Sequence, residues 1–179
     1  RKAKHVIDSP EYQEVFETSL QEDSKAAGRW ETAQGGEYFA VGVGGAMTGR
    51  GADLLIIDDP HKEKDLLSRD AFERAYEWYT SGPRQRLQPG GRIVLVMTRW
   101  STNDLTGQLI KAQGEVKGDE WDLVEFPAVL PNDKPVWPEY WNRDELESVK
   151  ASISVGKWNA QYMQTPTAEE GALIKREWW

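Results

Sequence analysis

The stretch Leu54-Leu55-Ile56-Ile57-Asp58-Asp59 constrains the fold more than any other. Side chains alternate between faces along a strand, so an unbroken aliphatic run puts apolar groups on both. That is the pattern of a parallel sheet covered on both faces. Ile93-Val94-Leu95-Val96-Met97 repeats it. Between the two runs, Ser68 to Ser81 carries Ala71, Phe72, Ala75, Tyr76 and Tyr79 at helical spacing. Strand, helix and strand in that order predict an α/β domain with a mainly parallel sheet flanked by helices.

The same pattern places a third strand over Trp121 to Phe126 and a turn at Pro89-Gly90-Gly91. A helix is expected over Thr102 to Gln113, with Leu105, Leu109 and Ile110 on one side. Upstream, Tyr12, Val15, Phe16 and Leu20 follow a Ser9-Pro10 cap, and Glu37 to Val43 alternates like a strand. From Pro127 the texture changes to a proline-broken loop. Two short helices come next, around Leu146 and Val149 and around Val155, Trp158 and Tyr162. The chain thus divides into residues 1–126 and a loop and helical extension over residues 127–179. Gly171 to Trp179 reads as the approach to a further element, and the Trp178-Trp179 end as a cut inside a longer protein.

Composition excludes several classes. The 179 residues include no cysteine and two histidines, which removes disulfides and leaves little for a zinc site. A reducing cytoplasm fits. No apolar run nears the ~20 residues of a membrane helix, and Arg1-Lys2-Ala3-Lys4-His5 leads into no apolar signal segment. The net charge of −8 argues against a broad DNA-gripping surface on this chain alone.

The chemistry sits at Asp58 and Asp59. A parallel strand delivers its next residues to the carboxyl edge of the sheet, where open α/β folds bind ligands. One carboxylate there suits a magnesium ion. Its neighbour, pointing the other way, can orient or deprotonate an attacking water. Phosphoryl transfer needs that division of labour. The plainer alternative is a polar turn, Asp58-Asp59-Pro60, after a core strand. The second apolar run ends in Thr98-Arg99-Trp100, which places a polar residue beside the same edge. Before the acids, Gly42, Gly44, Gly45, Gly49 and Gly51 crowd a loop that carries Arg50. No Gly-Lys-Ser/Thr closes it, so it is no Walker A loop. A strand rather than a helix comes after it, so it is no dinucleotide fingerprint. It reads as a loop presenting Arg50 to a phosphate, or as a flexible turn with a surface arginine.

Four stretches in order resemble phage terminase large subunits, the DNA-packaging motors: Gly44-Gly45-Ala46-Met47-Thr48-Gly49-Arg50-Gly51-Ala52-Asp53, then Leu54 to Pro60, then Thr98-Arg99-Trp100, then Trp158-Asn159-Ala160-Gln161-Tyr162-Met163-Gln164-Thr165-Pro166. With Glu169-Glu170-Gly171, the last resembles the segment leading from the ATPase to the nuclease domain. The resemblance implies a P-loop ATPase of the additional-strand class, using ATP and Mg2+. It implies a homo-oligomeric ring on the portal protein that pumps double-stranded DNA with a small terminase subunit, in the host cytoplasm. Asp58 matches the Walker B magnesium acid and Asp59 the catalytic acid. Thr98 falls at the coupling motif, and Arg50 lies where some terminases place an arginine finger acting in trans. The Walker A loop would precede Arg1 and the nuclease acids would come after Trp179, so the chain would be an incomplete motor domain. Other readings are a helicase-like or recombinase-like ATPase, a non-catalytic interaction module, and a nuclease built from Asp58, Asp59, Asp104 and Asp133.

Overall fold

A computed structural model describes residues 2–167 apart from residues 24–25, 48 and 116–117. The chain divides into two compact units, Arg1–Gly49 and Arg50–Trp179. The first holds two short helices, α1 (Lys2–Ile7) and α2 (Pro10–Val15), and a small antiparallel pair, β1 (Arg29–Glu31) with β2 (Glu37–Phe39). Ser9 caps α2 by accepting from the Tyr12 N–H at 3.3 Å, as the Ser-Pro signal predicts. The helix ends at Val15, short of the expected Leu20, which instead bridges Thr32. Trp30 and Tyr38 stack across the hairpin at 4.6 Å. Strand character stops at Phe39, so the expected strand to Val43 is realised only in its first half.

The second unit is α/β, with a small parallel sheet flanked by helices. Strand β3 (Ala52–Asp58) leads through a short 3-10 turn (Glu63–Leu67) and helix α3 (Arg69–Ser81) to strand β4 (Leu87–Val96). The two strands pair in parallel, with Ile56 opposite Val94 and Asp58 opposite Val96. Helix α4 (Leu105–Glu115) is next, then α5 (Arg143–Ser152), and α6 (Val155–Lys157) runs into a π-helical turn over Trp158–Tyr162. Asn142 caps α5 reciprocally with Glu145 at 3.0 Å. No helix among the described residues is long and apolar enough to cross a membrane.

The core forms where one face of the sheet meets α3 and α4. Ile57, Tyr79, Leu105 and Leu109 are buried together, with Leu55, Ile93, Leu95 and Trp121 packed against them. Full burial of such side chains contributes ~1.5–3 kcal/mol each. Tyr79 lies so deep that burial pushes its hydroxyl pKa up to about 12.

Several expectations need correction. The sheet is covered on one face only: Leu54, Ile56, Val94 and Val96, the alternate residues of the same runs, are 44–60% exposed. One helix layer packs here, so the apolar pattern of the second face has no partner among the described residues. The expected turn at Pro89-Gly90-Gly91 lies inside β4. Gly90 has φ +80, and the ladder jumps from Leu87 opposite Ala52 to Arg92 opposite Leu54, so the glycines make a bulge that the strand passes through. Trp121 to Phe126 forms no strand: these residues hydrogen-bond to no neighbouring strand among those described. Helix α4 starts at Leu105 rather than Thr102, because Asp104 takes the cap position.

Candidate functional site

Pairing Asp58 with Val96 brings the carboxyl ends of β3 and β4 level. Residues just beyond them therefore meet. The Asp59 N–H donates to the Val96 carbonyl at 2.9 Å, and the Thr98 N–H donates to Asp59 Oδ1 at 3.2 Å. The structure thus brings together Asp58, Asp59 and Thr98, three residues the sequence singles out, at one sheet edge. Both carboxylates are exposed, and Thr98 is half-buried.

Asp59 stands in the left-handed region, at φ +41. A residue with a Cβ meets a cost of ~1–2 kcal/mol there, least for Asp and Asn, whose side chains hydrogen-bond locally. The two bonds from and to Asp59 hold that conformation. It redirects the chain between Asp58 and the buried Pro60. Strain of this kind concentrates where a backbone is fixed for function.

Behind the edge lies a buried polar network that sequence motifs do not announce. Asp104 has no exposed surface. Its carboxylate accepts from Arg99 Nε at 3.0 Å, from the N–H groups of Trp100 at 2.9 Å and Ser101 at 3.2 Å, and from the Gly107 N–H at 2.9 Å. It caps α4 and clamps the segment after Thr98. His61, two residues after Asp59, is buried as well. Its Nε2 accepts from the Leu105 N–H at 2.9 Å, so the ring is neutral with its proton on Nδ1. Burial lowers its pKa, against the opposing charges of Asp104 and Asp65. Both strand ends are thus tied to the first turn of α4, one through His61 and the other through Arg99. An Asp directly before the apolar face of α4 was the sequence signal for this cap. The pairing of Asp104 with Arg99, and that of His61 with the Leu105 N–H, have no local signature.

Arg50 does not join this edge. It precedes β3, whereas Asp58 closes it. At ~3.3 Å per residue the two lie roughly 25 Å apart. Arg50 therefore cannot serve Asp58 and Asp59 of its own chain. Gly51, next to it, lies so close to the Gln88 side chain that a Cβ would displace it. Thr48 and the Gly171–Trp179 approach fall outside the described residues.

The four acids of the nuclease reading are not gathered. Asp104 is consumed by its buried donors, and Asp133 pairs with Arg143 at 2.8 Å. No cluster of three potential metal ligands occurs among the described residues. Asp58 and Asp59 do fit the sparser demand of magnesium, one or two carboxylates with the remaining positions left to water and phosphate. A search of protein-family models finds no match to the chain, and neither does a search of curated proteins.

Proposed function

We propose that the chain is the later part of the ATPase domain of a viral terminase large subunit, of the additional-strand P-loop class. The parent protein would couple ATP hydrolysis to packaging of double-stranded DNA. The observation that carries this reading is the joining of Asp59 to Thr98 at the carboxyl edge of two parallel strands, with Asp58 beside them. On this reading Asp58 holds the Mg2+ of a nucleotide, which neutralises phosphate charge when bound. Asp59 positions water. The Thr98 main chain bonds Asp59, and the Arg99–Asp104 pair ties the next residue to the start of α4. That linkage is a physical route from the site to the body of the domain. The phosphate cradle and its lysine come from a P-loop outside this sequence. Arg50, far from its own Asp58, acts on the site of the next subunit in a ring. The portal protein and the small terminase subunit are the expected partners.

The test uses the parent polypeptide. Asp58→Ala should weaken magnesium-nucleotide binding. Asp59→Ala should spare binding and abolish turnover, because positioning water matters in the transition state. Arg50→Ala should bind ATP and hydrolyse it ~10³–10⁵ more slowly. Mixing Arg50→Ala with Asp59→Ala subunits should restore turnover. Normal turnover by Asp59→Ala, or no recovery in verified mixed rings, refutes the assignment concerned. The chain by itself should hydrolyse no ATP above an Asp58→Ala/Asp59→Ala control.

A further inference from the structure

Behind Asp59 the chain closes on itself through side chains. The Thr98 N–H donates to Asp59 Oδ1 at 3.2 Å. The next residue, Arg99, donates Nε to Asp104 at 3.0 Å. The residue after Asp104, Leu105, donates its N–H to His61 Nε2 at 2.9 Å. His61 returns to Asp59 through Pro60 alone. Hydrogen bonds and chain together form one closed circuit, from Asp59 through Thr98, Arg99, Asp104, Leu105, His61 and Pro60. Its back is buried: Asp104 and Leu105 have no exposed surface, and His61 is 4% exposed. Its front is the exposed Asp59.

Asp59 needs such support. At φ +41 a residue with a Cβ is disfavoured unless its surroundings hold it. The bond from its N–H to Val96 fixes only its amino side. On the carboxyl side Pro60 has a locked φ, so the placement of the His61 ring passes to Asp59 with little slack. The ring itself is held edge-on against Phe72, at 5.0 Å between centroids. Among the described residues no bond engages Asp59 Oδ2, so the circuit takes one carboxylate oxygen and leaves the other for water. Asp58 lies outside the circuit, and its backbone is set by pairing with Val96.

We propose that His61 is a positioning residue for Asp59. It acts through the Leu105 N–H and the Arg99–Asp104 pair to hold the carboxylate where it serves an attacking water. The proposal rests on the water-positioning role given to Asp59 above. What the site requires of His61 is a hydrogen-bond acceptor at the Nε2 position, rather than an imidazole as such. Because Asp58 is outside the circuit, loss of that acceptor slows turnover and spares magnesium-nucleotide binding.

The test compares His61→Gln, whose amide oxygen reaches the Nε2 position, with His61→Asn, which is one methylene too short. His61→Leu fills the ring's space with no acceptor and should behave as His61→Asn does. The first measurement is amide exchange by NMR on the whole chain, without nucleotide. The Thr98 and Leu105 amides should exchange roughly tenfold or more faster in His61→Asn and His61→Leu, and close to the native rate in His61→Gln. Core amides at Tyr79 and Leu109 should keep their protection throughout. The second measurement is made in the parent polypeptide. His61→Asn and His61→Leu should lower kcat roughly tenfold or more with magnesium-nucleotide affinity retained, and His61→Gln should recover most of the loss. An unmoved Thr98 amide in the two deficient variants would overturn the circuit, whether or not Asp59 is catalytic. Equal kcat losses in His61→Gln and His61→Asn would reduce His61 to packing. Loss of core protection, or of nucleotide affinity alongside kcat, would also overturn the proposal. Normal turnover by Asp59→Ala would instead refute the role of Asp59 itself, and the catalytic half of this proposal with it.

Discussion

Replacing Asp104 with Asn changes one oxygen for an NH2 group at the most enclosed polar point of the second unit. The Oδ1 position, facing the Gly107 N–H, can keep its cap bond. The Oδ2 position cannot serve: in the native chain it accepts from Arg99 Nε and from the N–H groups of Trp100 and Ser101. A donor placed there confronts three donors, and Arg99, whose side chain is only 13% exposed, loses its counter-charge. Breaking a buried ion pair by removing one partner costs ~3–5 kcal/mol. That is a fifth or more of the ~5–15 kcal/mol that separates typical folded and unfolded states. Guanidinium unfolding, followed by circular dichroism, should show the unfolding free energy fall by that amount, as a lower midpoint with little change in slope. Amide exchange at Thr98 and Leu105 should accelerate. The double variant Arg99→Met/Asp104→Asn should recover part of the loss, because the uncompensated charge is gone. A cost for Asp104→Asn below about 1 kcal/mol would refute the claim that this carboxylate clamps the strand end to α4.

Gly107→Ala should also destabilise α4, although alanine is the better helix former by ~1 kcal/mol. A Cβ there would collide with the Thr102 carbonyl, so thermal unfolding should show a lower midpoint, and a raised one would show that the loop yields freely. His61 folds neutral with a lowered pKa, so the unfolded chain binds its proton first. Its contribution is complete above the unfolded value of about 6.5 and declines as pH falls below it. His61→Gln should flatten the pH dependence of stability as pH falls below about 6.5, measured by denaturant midpoint, and an unchanged slope would remove His61 from that role.

The reach of the sequence is clearest at β3 and α3. Unbroken aliphatic runs and a period near 3.6 are local properties, and they placed both strands, the helix between them and the acidic ends of the first strand. Asp58, Asp59 and Thr98 were likewise legible, because a residue after a parallel strand arrives at the same edge whatever the rest of the chain does. Pairing was not legible. Trp121 to Phe126 has a strand's composition, but a strand exists only where a neighbour takes its hydrogen bonds, and that neighbour is not local. The Pro89-Gly90-Gly91 stretch has the residues of a turn, yet cross-strand pairing carries it through as a bulge. Covering both faces of the sheet required a second helix layer, which no run of apolar residues can specify. Only tertiary structure decided that His61 and Asp104 lie behind the edge, since burial and long-range hydrogen bonds made ordinary polar residues into its support. The distance of Arg50 from Asp58 is a matter of strand length: Arg50 lies just before the start of β3 and Asp58 closes it.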